Sequence, residues 1–192
     1  MSALARLLLV LSIGALVLAL NPSLVPVEAQ YQPPEPEVPA DLDDAAIEAA
    51  IHDKVNELRV EQGLRPLVFD QSLAEVSRYH SSDMAAADYV GHVSPSGETV
   101  LNRYDQFRYD CRIRAGTDNV VYGGENVFFV SFAGVSYTDD EIAERAVDGW
   151  MNSTGHRENL LSDYWFREGV GVVVDVDETA GNTSVYVTQN FC

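Results

Sequence analysis

The stretch Val170–Phe191 reads VGVVVDVDETAGNTSVYVTQNF and carries the strongest β signal in the chain. Val170, Val172, Val174 and Val176 share one face of a strand, because successive side chains of an extended chain point to opposite faces. Val185, Val187, Gln189 and Phe191 repeat that period on a second strand. The ETAGN between them is turn chemistry, so the two segments are expected to close as an antiparallel hairpin.

Upstream of the hairpin the period becomes helical. Ile47, Ile51, Val55 and Leu58 form an apolar stripe, with Asp41, Asp43 or Asp44 available as its cap and Gly63 as its stop. Pro66 prevents that helix from continuing. A second helix is expected to open near Asp70 and to carry Leu73, Val76, His80, Met84 and Ala87 on one face. Thr138–Glu141 reads TDDE, a capping box that launches a helix through Ile142, Ala146, Val147 and Trp150, ended or bent by Gly155. The segment from Leu101 to Gly124 shows no assignable period. Helices first and a hairpin last, without regular βαβ alternation, make the fold class α+β.

The chain has 192 residues, enough for one domain with a real core. It carries 30 acidic against 12 basic residues, a formal net charge of -18, and Lys54 is its sole lysine. Phosphate recognition needs clustered Lys and Arg, so a nucleic-acid partner or an anionic membrane surface is not expected. So much like charge keeps a chain soluble and strains its compact state when salt is low, as expected of an adaptation to brine.

The N-terminus points to export. Arg6 precedes an apolar run from Leu7 to Leu20, shorter than the roughly 20 residues that span a bilayer. Residues 1–29 read as a signal peptide, with Val27 and Ala29 spaced for cleavage before Gln30; a retained short anchor reaching Val27 is the alternative. Residues 30–43 open with QYQPPEPEVPA, a stiff solvated spacer, and the folded domain is expected over 44–192. Outside the cell, Cys111 and Cys192 are expected to pair, contributing roughly 4 kcal/mol by closing a long loop; two free thiols are the alternative.

Four histidines are available for binding chemistry near neutral pH. His52 sits among charged residues and is expected on a solvated face. His80 falls on the apolar stripe of the second helix, where a hydrogen-bonded core role is the ordinary reading. His92 and His156 each follow a glycine in turn-rich polar sequence. Glu125 stands in GGEN beside apolar VFFV; burial there requires a partner, and a histidine would serve.

The strings VNELRVEQGLRPL from Val55, RYHSSDMAA from Arg78, GHVSPSGE from Gly91, GGENV from Gly123, WMNSTGHRENLL from Trp150, GVGVVV from Gly169 and YVTQNF from Tyr186 follow one another in order. Together they resemble the CAP superfamily of cysteine-rich secretory proteins, antigen 5 and pathogenesis-related proteins, in its bacterial-type branch. The resemblance implies an α-β-α sandwich, with a small antiparallel sheet between helical layers and a cleft over one face. It also implies a ligand cleft of His92, Glu125 and His156, able to hold a divalent metal such as Zn²⁺. The family's second cleft acid falls on Ser153, which lowers the charge available to a metal. His80, Ser81, Asp83, Arg157 and Asn159 read as a supporting network, Arg157 being suited to pairing a carboxylate, and His80 is counted with Ser153 in the ligand cleft as well.

Catalysis is not a general property of that family. The reading is therefore an exported binding module for a small molecule, lipid, peptide or divalent metal, without turnover and without a membrane span in the mature chain. A metal-assisted hydrolase using the same cleft, and a structural surface domain, are the alternatives. Of two glycosylation sequons, Asn182 is expected in the hairpin turn and accessible, and Asn152 occluded. Raising ionic strength from the millimolar to the molar range shrinks the Debye length from about 30 Å to about 3 Å. A melting curve should show Tm rising over that range; a flat or falling Tm removes the brine reading.

Overall fold

The computed structural model describes residues 41–115 and 119–192. The expected signal peptide, and the spacer up to residue 40, lie outside the described residues. The elements run α1 (Asp44–Glu61), β1 (Val68–Phe69), α2 (Gln71–Ala87), α3 (Val100–Gln106), β2 (Ile113–Ala115), β3 (Asn119–Val121), β4 (Gly124–Ala133), α4 (Asp139–Met151), α5 (Thr154–Leu160), β5 (Arg167–Asp177) and β6 (Asn182–Phe191).

Local chemistry sets the helix starts. Asp43 accepts the Ala46 N–H at α1, Asp70 the Ser72 and Leu73 N–H groups at α2, and Thr138 forms the expected capping box with Glu141 at α4. Gly155 does not end α4. That helix stops at Met151, and Gly155 lies within α5, where the chain has already turned. The unassigned middle segment holds α3, capped by Thr99 with Asn102, and the short β2–β3 ribbon.

The expected hairpin forms, β5 pairing β6 with Val172 opposite Val187. The main sheet has the order β1-β5-β6-β4 and is mixed rather than purely antiparallel, because the two residues of β1 run parallel to β5. Asn182 is the first residue of β6 and half-buried, whereas Asn152 is exposed, the reverse of the expected sequon accessibility.

The sheet's two faces differ in chemistry. Val170, Val172, Val185, Val187 and Phe191 join Ile47, Ile51, Val55, Ile142, Ala146 and Trp150 in one apolar core beneath α1 and α4. On the other face α2 lies against Gly169 and Gly171, where a Cβ would fall inside the helix backbone at Ala74 and Arg78. Ser77 and Ser81 donate to the Gly169 and Gly171 carbonyls, each at 2.8 Å. Cys111 and Cys192 are bridged, Cα–Cα 5.7 Å, tying α3's exit to the end of β6.

Gly171→Ala must push α2 off the sheet and should cost about 3 kcal/mol in urea unfolding. Gly155→Ala, where nothing crowds the new methyl, should be neutral or stabilising by up to about 1 kcal/mol. Equal effects at the two positions would refute the tight seat of α2.

Candidate functional site

β4 sends Glu125 and Asn126 to opposite faces of the sheet, and each organises a polar cluster. Glu125 is buried on the face that carries α2. Its Oε2 accepts Arg103 Nη2 at 2.8 Å and lies 3.4 Å from His80 Nδ1, while its Oε1 lies 2.9 Å from His92 Nδ1. A carboxylate only accepts, so both imidazoles present Nδ1–H to it. His80 is fully buried, with Thr188 Oγ1 also 3.3 Å from Nδ1. His92 is half exposed, and its ring centroid lies 6.0 Å from that of His156 on α5.

Burial alone would push the Glu125 carboxyl up. Hydrogen bonds from His80 and His92, with the fields of His80 and Arg103, overcome this and bring it down to about 2. His156 is held below the ordinary imidazole value, first by burial and then by the neighbouring His92. Both shifts leave an ionised Glu125 beside a neutral His156 at neutral pH.

Arg103, not singled out in the sequence, supplies the guanidinium that pairs Glu125, whereas the sequence reads Arg157 as suited to pairing a carboxylate. Arg103 is fully buried and also donates to the His92 carbonyl at 3.1 Å, so it fixes both the acid and the loop that carries the histidine. Arg157 instead is exposed and donates to the Met151 carbonyl. The available signal for Arg103 was the demand of a buried Glu125 for a partner, which does not say which arginine answers it. Gly123, at φ +106, sits where a Cβ would strike the Tyr104 ring, which accounts for the GGEN glycine. Asp83 supports the site from α2, accepting the Tyr89 hydroxyl at 2.5 Å. Ser153 occupies the cap position of α5 without a side-chain capping bond.

Asn126 heads the second cluster. Its Nδ2 donates to the His156 carbonyl at 3.3 Å and to Gln189 Oε1 at 3.2 Å, and Gln189 donates to Glu168 Oε2 at 2.5 Å. Glu168 is buried and its Oε1 lies 2.5 Å from His52 Nδ1. His52 is therefore not on a solvated face, as its charged neighbours in sequence suggested; its pKa is raised, chiefly by the bond to Glu168 against the effect of burial. Asn159 completes the brace, donating to the Glu125 carbonyl at 3.1 Å and to Asn126 Oδ1 at 2.9 Å.

The structure thus brings His92, Glu125, His156 and His80 into one cluster. Among the described residues, no three His, Cys, Asp or Glu side chains are grouped so as to share a metal ion. Glu125 has its oxygens committed to Arg103 and the two imidazoles.

A helical layer on each face of a small sheet is the architecture that the family resemblance implied. Residues 52–191 match the cysteine-rich secretory protein (CAP) family, and the chain belongs to it. It is similar to the uncharacterised membrane protein YlbC of Bacillus subtilis, 34% identical over 144 residues, covering 75% of this chain and 34% of that protein. It is also similar to YkwD of the same organism, 29% identical over 130 residues, 67% of this chain and 43% of that one. This chain therefore spans less than half the length of either relative. Among solved structures, an extracellular SCP-domain protein of Bacillus anthracis matches with TM-score 0.56 at 30% identity, over 77% of this chain and 40% of that one. An outer surface protein of Borrelia burgdorferi shares the fold, with TM-score 0.55 at 17% identity over 80% and 98% of the two chains.

The lowered Glu125 pKa has a defined sign. Its stabilisation is present above the ordinary value of 4.5 and is lost as pH falls through about 2. Urea unfolding at stepped pH should show a loss on the order of 3 kcal/mol across that window. Glu125→Gln should lack that slope and, by leaving Arg103 buried without a counter-charge, should already be about 3 kcal/mol weaker at pH 7. An unchanged acid limb in the variant contradicts the assignment.

Proposed function

We propose that this protein is an exported or cell-surface binding module whose cleft at His92, Glu125 and His156 takes a small ligand or a divalent metal ion without turnover. The observation that carries this reading is the ionised, buried Glu125, which holds the His92 ring in one orientation beside a neutral His156. Such a carboxylate behind an imidazole orients the ring and raises its basicity toward whatever meets the free nitrogen. His80 supports the same carboxylate from the interior.

The donor chemistry fits a modest metal site. Two imidazoles side by side suit Zn²⁺, with water completing the shell, and Glu125 acts behind His92 rather than as a third ligand. A bound Zn²⁺ would supply a Lewis-acidic centre there. The residues' own part is to bind through His92 and His156, with burial holding His156 below the ordinary imidazole value. With serine at position 153, where the family resemblance implies an acid, the charge holding a cation is reduced.

Two observations support a location outside the cytoplasm. The Cys111–Cys192 bridge belongs to an oxidising compartment. The Bacillus anthracis and Borrelia burgdorferi neighbours are described as extracellular and outer-surface proteins. One alternative draws on a specific feature: the Glu125–His92 pair is also the arrangement of a general base, which suits a metal-assisted hydrolase.

Calorimetry with ZnCl₂ at pH 7.5 should give one weak site. His156→Ala should abolish it, and Ser153→Glu should tighten it severalfold. Lowering the pH should weaken binding as His156 protonates, below the range of an ordinary imidazole because its pKa is depressed. Absence of binding across Zn²⁺, Ca²⁺ and Mg²⁺ would leave only the polar cleft. Turnover of ester or peptide substrates, lost in His156→Ala, would establish the hydrolase.

A further inference from the structure

The two long edges of the sheet are finished differently. In the β5–β6 ladder, the Cys192 N–H donates to the Arg167 carbonyl and the Arg167 N–H to the Cys192 carbonyl. The even-numbered residues of β6 therefore bond to β5, and its odd-numbered residues bond to β4. It follows that the backbone groups of Glu125, Val127, Phe129, Ser131 and Ala133 point away from β6, toward the free edge of β4.

On the β5 side, beyond the short β1, α1 caps the exposed N–H groups with carboxylates. Glu48 Oε1 accepts from Val172 at 3.2 Å and Asp44 Oδ1 from Val174 at 3.0 Å. On the β4 side the capping stops partway. Asn159 takes the Glu125 carbonyl and Trp150 Nε1 takes the Val127 carbonyl at 2.9 Å. Among the described residues, nothing pairs the outward groups of Phe129, Ser131 and Ala133, and all three residues are exposed. An unpaired strand edge is a template for another strand.

We propose that the Phe129–Ala133 edge of β4 is a docking site for an extended, basic peptide that adds a strand to the sheet. Charge selects this occupant. With a net charge of -18, a second copy of the chain is repelled, whereas a strand bearing Lys or Arg at alternate positions is attracted. The surface beside the edge has the same sign. Phe129 packs on Tyr186 at 4.8 Å between ring centroids, and Asp88 and Asp175 lie near enough to Tyr186 to raise its pKa, after burial as the larger cause. Alternate side chains of the added strand would meet the Phe129 ring, and the field of the carboxylates beyond it favours Lys or Arg among them. This surface is separate from the His/Glu cleft, and the proposal stands whether or not the cleft binds a metal.

The test uses the full chain, kept in non-ionic detergent, and the capped peptide KVKVKV. Calorimetry should detect saturable binding that weakens with salt, and hydrogen exchange should show the Phe129, Ser131 and Ala133 amides newly protected. Methylating alternate peptide nitrogens, which leaves the protein untouched, should weaken binding at least tenfold. Ser131→Pro removes an outward N–H without disturbing the ladder to β6 and should do the same. EVEVEV should not bind. The proposal is overturned if KVKVKV fails to bind, if N-methylation leaves its affinity unchanged, or if protection appears elsewhere. Concentration-dependent protection of this edge without peptide would assign it to a second copy and equally overturn the proposal.

Discussion

A carboxylate buried in a protein must be ionised and fully paired or not ionised at all. Glu125 takes the first course, and much of the site follows from it. Its demand for a cation places Arg103 in the interior, Arg103 then holds the His92 loop through a backbone carbonyl, and the remaining oxygen turns the His92 ring. α2 must also come close enough for His80 to reach the same acid. Glycine at 169 and 171 is what permits that approach.

The hairpin, the helix caps at Asp70 and Thr138, and the apolar stripe of α1 were legible because each is written in neighbouring residues. What escaped was written across the chain. Arg103 lies 22 positions from Glu125, and nothing near it in sequence calls for a buried charge. His52 looked solvated because its neighbours on α1 are charged, but its partner Glu168 arrives from β5, 116 residues away. Asn152 and Asn182 exchanged accessibility because a sequon says nothing of the side chains around it, and Asn182 is taken up by Ser131 and Ser184. The cleft histidines could be singled out by family resemblance. That Glu125 serves His92 from behind could be seen only once the distances were known.

The sheet is polar and crowded at one end of β4 and open at the other. Asn126, Asn159 and Trp150 occupy the backbone and interior near the histidines, and the strand then runs out past Phe129 into solvent. The Asn126–Gln189–Glu168–His52 chain passes through an otherwise apolar layer, every member hydrogen-bonded, so its polar atoms do not carry the cost of burial without partners.

The seat of α2 on β5 has a metric consequence. Four residues of helix advance about 6 Å, and two residues of strand advance about 6.7 Å. Ser77 and Ser81 meet the carbonyls of Gly169 and Gly171 because these two repeats are nearly commensurate. The mismatch grows by a fraction of an ångström with each step, as on a vernier scale. The next coincidence would fall at Ala85 and Val173, where neither a hydroxyl nor a glycine is present. His80, one residue before the second coincidence, therefore stands where the two rulers still agree, and a slip of α2 by one residue would carry it out of reach of Glu125.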